Sequence, residues 1–137
     1  MEPIVVRSGE GTVYRRPRTQ GVVTVKLSSG AATLFETARA TGDDQGPGIH
    51  SHAAFEETFY VVAGEWEFVV GERTVVVDAG SVVHIPPGVF HAFRSTGRLD
   101  GKLVGVAVPG GIEHFFEEGD RAAEREQAAS RSVTPGQ

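Results

Sequence analysis

Residues 65–77, EWEFVVGERTVVV, leave the backbone little choice. Trp66, Phe68 and Val70 alternate with Glu65, Glu67 and Val69, and residues two apart on a β-strand share a face. Gly71-Glu72 separates this run from Thr74–Val77, which is the length and chemistry of a tight hairpin turn. The same pattern fills most of the chain. Short extended runs are expected at Ile4–Val6, Thr12–Tyr14, Val22–Leu27, Ala32–Ala38, Ser81–Ile85, His91–Ser95 and Lys102–Val108, with another ending at Gly64. Asp78-Ala79-Gly80 and Pro86-Pro87-Gly88 are turns, and residues 40–48, ATGDDQGPG, form a loop by composition. Eighteen glycines and seven prolines punctuate about ten short strands, the signature of an all-β sandwich or barrel.

The periodicity changes after Pro109-Gly110-Gly111. Ile112, Phe115 and Phe116 stand at helical spacing and Gly119 suits a helix C-cap, so a short amphipathic helix should lie across the barrel. Residues 120–129 are helix-permissive but mostly charged. The expected organisation is one domain over residues 1–129, its C-terminal helical segment at 111–129, followed by a disordered tail at 130–137. Without cysteine there is neither a disulfide nor a thiolate metal site, and any metal takes nitrogen and oxygen donors. A net charge of −5 with no Lys/Arg cluster argues against nucleic acid as a partner. No apolar window approaches a membrane span, and the N-terminus lacks an apolar leader, so a cytoplasmic protein with no membrane partner is expected.

Two stretches carry chemistry. Residues 48–64, GIHSHAAFEETFYVVAG, place His50 and His52 two apart, followed by Glu56 and Glu57. On a strand both imidazoles reach one point, although such a pair alone is commonly just a solvated accident. Residues 80–95, GSVVHIPPGVFHAFRS, set a Pro-Pro-Gly turn of low backbone freedom just before His91, which shares a face with Phe93 and Ser95. A rigid turn holds an imidazole in place, and imidazoles with a carboxylate suit a divalent first-row metal.

Taken together, these stretches resemble the two motifs of the cupin superfamily. His50, His52, Glu57 and Gly64 match G-x5-H-x-H-x(3,4)-E-x6-G, and Gly80, Pro86, Gly88 and His91 match G-x5-P-x-G-x2-H-x3-N. The leading glycine of the first motif falls at Asp44, with Gly46 and Gly48 nearby, and the closing Asn of the second is Ser95. The matched regions are residues 46–64 and 80–95, separated by 15 residues between Gly64 and Gly80. The resemblance implies a double-stranded β-helix, or jelly-roll barrel, with a short C-terminal helix. It implies that His50, His52, Glu57 and His91 hold one divalent transition metal, whether Fe, Mn, Ni, Zn or Cu. A carboxylate bound through one oxygen is loosely held, so Glu57 is also the expected general base. It further implies pairing of two barrels into a homodimer. The segment PGGIEHFF is similar to the C-terminal part of small cupins of the quercetin 2,3-dioxygenase-like group. The activity implied is a metal-dependent dioxygenase or oxidoreductase acting on a small phenolic or enolic compound. The alternatives are non-redox isomerase, cyclase or decarboxylase chemistry, or a small-ligand-binding module without catalysis.

Glu57 is preferred to Glu56 because its parity places it with Phe59 and Val61 on one face. Phe35, Phe59, Phe93 and Trp66 are expected to wall a substrate pocket, against the commoner fate of such residues as plain core. His84 reads as a structural or surface histidine, His114 as exposed, and Arg94 and Arg98 as rim charges.

Overall fold

The computed structural model describes residues 2–15, 21–39 and 48–118. Among them are nine strands: β1 (Thr12–Arg15), β2 (Val22–Ser28), β3 (Thr33–Arg39), β4 (Glu56–Ala63), β5 (Glu65–Val70), β6 (Arg73–Asp78), β7 (Val82–Ile85), β8 (His91–Ser95) and β9 (Gly101–Val108). A six-stranded antiparallel sheet has the order β1-β2-β3-β9-β4-β7, and a three-stranded one the order β6-β5-β8. The expected hairpin is present: Val70 pairs with Arg73 across Gly71-Glu72, and Gly71 takes a φ of 59° that glycine adopts without steric cost.

Inward and outward residues alternate along the strands as the pleat requires. Phe35, Phe59, Val61, Trp66, Phe68, Phe93 and Leu103 fill the interior. Phe35 and Phe59 both pair across Gly105 of β9, and a Cβ there would lie 2.4 Å from Cζ of Phe35. That missing side chain lets the two rings meet edge to face at 5.9 Å. The rings of Phe68 and Phe93 lie 5.4 Å apart, and those of Trp66 and Phe93 6.0 Å. Each buried ring contributes about 1.5–3 kcal/mol of hydrophobic stabilisation, with about 0.5–1.5 kcal/mol more for each well-oriented pair.

Residues 113–118 form the one helix among the described residues, six residues long. Ile112 and Phe116 are buried beneath it, while Phe115 stays half exposed. Its start is pinned to the six-stranded sheet through Glu113. Thr33 Oγ1 donates to Glu113 Oε2 at 2.7 Å and accepts the Gly111 N–H at 3.1 Å, while Ser28 Oγ donates to Glu113 Oε1. Burial alone would raise the Glu113 pKa, but these hydroxyl donors outweigh it and hold the carboxyl below its ordinary value.

One expected strand is corrected. Ile4–Val6 pairs with no strand, and Ile4 and Val5 are 67% and 76% exposed. The chain turns away at Arg7–Glu10 instead. The Glu10 N–H donates to the Arg7 carbonyl at 3.0 Å, and Lys26 Nζ donates to the carbonyls of both residues. Residues 119–137, which include the expected Gly119 cap, the further helical segment and the disordered tail, lie outside the described residues, as does most of the expected loop at 40–47. No helix among the described residues is long and apolar enough to cross a membrane.

Candidate metal centre

The two histidine-bearing stretches are stapled to each other by backbone hydrogen bonds. The His50 N–H donates to the His91 carbonyl at 3.1 Å, and the His91 N–H returns to the His50 carbonyl at 2.8 Å. The Gly88 N–H, in the Pro-Pro-Gly turn, donates to the His52 carbonyl at 2.9 Å. The pair His50/His52 was expected on a strand; it precedes β4, and His50 makes only an isolated antiparallel bridge with His91. The bend at Ala53-Ala54 ends the extended run before a longer ladder forms.

His50, His52 and His91 each bring a ring nitrogen within 4.8 Å of the others. Glu57 Oε1 lies 3.2 Å from His91 Nε2 and 3.6 Å from His52 Nε2. Glu57, Phe59 and Val61 are the buried face of β4, while Glu56 is exposed, as strand parity demands. Two of the rings are oriented by the same device. His50 Nδ1 lies 2.7 Å from the Gly48 carbonyl, and His91 Nδ1 lies 2.9 Å from the Val89 carbonyl. A carbonyl only accepts, so each Nδ1 carries the proton, and in the neutral ring the Nε2 lone pair is left to face the cluster.

The electrostatics separate the two rings. Burial lowers the His50 pKa; the Gly48 carbonyl opposes this in part, and the neighbouring His91 and His52 lower it further. Burial acts in the same sense on His91, but the Glu57 carboxylate and the Val89 carbonyl outweigh it, and its pKa rises above the ordinary value. The field at Glu57 therefore favours positive charge, and an unprotonated nitrogen at His50 suits a cation rather than a second proton. Three nitrogen donors and one carboxylate, all without sulfur, fit a divalent first-row metal.

The cluster opens into a cavity of about 410 Å³, within the range of small-molecule sites. Phe35, Phe59 and Phe93 line it, as do Ile112, Phe115 and Phe116 from the helical segment. The Phe115 ring lies 4.7 Å from that of His52, so the helix forms a wall beside the cluster. Trp66, expected in the pocket wall, is not part of it. It is fully buried, packs behind Phe93, and its Nε1 donates to the Ala63 carbonyl at 3.0 Å. The register explains this: Val70 is level with His91 and Trp66 with Ser95, four residues further along the strand, or about 13 Å.

His84 and His114 are exposed, the latter 3.7 Å from Glu117, and Arg94 pairs on the surface with Glu67 at 3.0 Å. Three polar residues of the wall escaped the sequence reading, Ser51 and, on β3, Thr37 and Arg39. On β3 the signal was present, since Thr33, Phe35, Thr37 and Arg39 share a parity and all are buried. The expected strand stopped at Ala38, one residue short of the arginine.

The comparisons with known proteins agree with this geometry. The family described as "Cupin domain" matches residues 37–108, more than half of the chain. The chain is 26% identical over 115 residues to quercetin 2,3-dioxygenase of Bacillus subtilis (strain 168), covering 83% of this chain and 34% of that protein. It thus spans about a third of that relative's length. Among solved structures, an RmlC-like cupin from Shewanella frigidimarina superposes with a TM-score of 0.70 at 19% identity, covering 83% of this chain and 96% of that one. A predicted oxalate decarboxylase from Thermotoga maritima gives a TM-score of 0.68 at 25% identity, covering 77% and 99%. The family match, together with a two-sheet antiparallel barrel carrying its histidines at one end, establishes that this chain belongs to the cupin superfamily.

Proposed function

We propose that this protein is a metal-dependent enzyme, a dioxygenase or related oxidoreductase acting on a small phenolic or enolic compound. The observation that carries the reading is the cluster of His50, His52 and His91, with Glu57 beside His52 and His91, at the end of an aromatic-walled cavity. Those four side chains hold one divalent transition metal, which when bound supplies a Lewis acid and, if redox-active, an electron route to dioxygen. The similarity to quercetin 2,3-dioxygenase supports the oxidative version.

The chain's own residues do the rest. The carbonyls of Gly48 and Val89 fix two imidazoles so that little reorganisation is needed when a ligand arrives. Glu57 accepts a proton from a substrate hydroxyl at a carboxylate oxygen and becomes a neutral acid, leaving the negative charge on the substrate oxygen beside the histidine cluster. Phe35, Phe59 and Phe93 exclude water and so strengthen every polar contact within the cavity.

The test is turnover of a panel of catechols, flavonols and enediols, with an oxygen electrode, in air and under argon. Oxygen uptake matching product formation supports the oxidative reading. Full turnover under argon, with zinc as good as iron or manganese, supports instead the non-redox version, which the likeness to a predicted oxalate decarboxylase favours. Reversible binding with no product under either atmosphere contradicts both. A homodimer is proposed as well, because β1 is a sheet edge and Val13 on it is exposed; a monomer by light scattering contradicts it.

A further inference from the structure

The rings of the histidine cluster have neighbours that fix them, and one such neighbour comes from outside the two histidine-bearing stretches. His50 and His91 are oriented through Nδ1 by carbonyls of their own segments, Gly48 and Val89. His52 lies against the ring of Phe115, with centroids 4.7 Å apart at 59°, and against that of Phe55 at 6.2 Å and 78°. Phe55 and Phe115 meet edge to face at 6.2 Å, so the three rings form one group. Phe55 follows His52 closely in the chain, whereas Phe115 is carried in by the helix, residues 113–118. That helix is docked by contacts that leave Phe115 out. Ile112 and Phe116 are buried, and the Phe116 ring lies 5.0 Å from that of Phe35. Ser28 Oγ, at the end of β2, and Thr33 Oγ1, at the start of β3, both donate to the Glu113 carboxylate. Phe115 is 45% exposed and its ring contacts are with His52 and Phe55, so it contributes less to docking than Ile112 or Phe116. Docking instead determines where its ring stands.

We infer that Phe115 is a positioning residue for the metal centre: docking of the helix sets its ring against His52 and holds that imidazole in one orientation, so that helix docking and metal binding are coupled. The inference rests on the metal site of the proposed function, in which His52 is a donor. An imidazole that turns freely gives up rotamer freedom when a cation fixes it, and one already held by a neighbouring ring gives up less. Coupling of this kind is reciprocal. The factor by which an undocked helix weakens metal binding is the factor by which bound metal strengthens docking. Glu113, Ser28 and Thr33 give no donor to the cation, yet through the helix they set its affinity.

Zinc is the probe. Its affinity is measured by competition with a chelating indicator in wild type, Phe115→Ala, Phe115→Tyr and Glu113→Gln, and amide exchange of residues 112–118 is followed with and without zinc. The order of the His52 ring is read by NMR relaxation in the zinc-free proteins. Phe115→Ala is expected to weaken zinc binding about fivefold or more and to loosen His52, while Phe115→Tyr, which keeps a ring, retains close to wild-type affinity. Glu113→Gln alters no group at the cluster, is expected to weaken zinc binding about twofold or more, and carries the test if Phe115→Ala does not fold. Saturating zinc should slow exchange of the helix amides about fivefold or more in wild type, an effect lost in Phe115→Ala. A Phe115→Ala protein that binds zinc as tightly as wild type overturns the inference, as does zinc that leaves helix exchange unchanged in wild type. A wild type without affinity for zinc counts against the proposed function, and the His52 ring then decides alone. Order that falls in Phe115→Ala leaves the positioning role standing, and unchanged order overturns it.

Discussion

The interior of the barrel has two ends built from the same strands, and they differ in chemistry. Along β8 the inward face runs His91, Phe93, Ser95, and along β5 the facing residues run Val70, Phe68, Trp66. At the Trp66 end, indole, Phe68 and Leu103 are fully buried and the indole N–H is satisfied by a backbone carbonyl. Four residues away, at the His91 end, the inward positions converge with His50, His52 and Glu57 on a cavity under the helix. Phe93 belongs to both, touching Trp66 and Phe68 on one side and the guanidinium of Arg39 on the other. Parity therefore decides that a residue points inward, and register decides whether inward means core or site. Strands that are continuous across both ends tie the site to the packed core.

The comparison breaks if the core end carries ligand chemistry or the histidine end carries the fold. Phe68→Ala should cost about 3–5 kcal/mol in denaturant unfolding while metal bound per folded chain stays at the wild-type level. Loss of metal at unchanged stability contradicts the division.

Glu57→Gln sharpens it from the other end. Metal affinity should fall by at least the roughly ten- to hundredfold that loss of a residue merely supporting a ligand costs, with unfolding free energy changing much less than in Phe68→Ala. In metal-free protein the His91 resonances should titrate at lower pH than in wild type, because the carboxylate that offsets burial has gone. An unmoved titration places the raised His91 pKa on another cause.

A smaller effect is expected where the helix is pinned. The Glu113 carboxyl is held below its ordinary value of 4.5 in the folded chain, so its contribution is complete above that pH and is lost as pH falls through the folded value. Glu113→Gln should lower stability by about 1 kcal/mol at pH 7 and by less in acid, where both chains carry a neutral side chain. A difference that is the same at pH 7 and pH 3 contradicts the role of the carboxylate.

Much of this was legible in the sequence, for physical reasons that differ by residue. Hairpin spacing and period-two alternation gave the strands from Val22 to Val108, since one face had to be apolar. The set His50, His52, Glu57 and His91 was legible through its match to the two cupin motifs, whereas the His50/His52 pair alone reads as a solvated accident. Ile4–Val6 misled because an apolar triplet says nothing about whether a partner strand is available; Lys26 instead holds the neighbouring turn. Trp66 misled because parity was readable but the register across β5 and β8 was not. Arg39 was overlooked because a strand end is set by pairing with β9, where Arg39 lies opposite Gly101, and not by the residues of β3 alone.

The account stands on one cation-binding point at the histidine end. The most direct measurement is elemental analysis of dialysed wild-type protein beside His50→Ala, each first incubated with iron, manganese, nickel, copper and zinc salts in turn. The account predicts close to one divalent ion per wild-type chain for at least one of these metals, and near none in the variant. A wild type that retains no metal under any of these conditions, or a variant that retains as much as wild type, contradicts it.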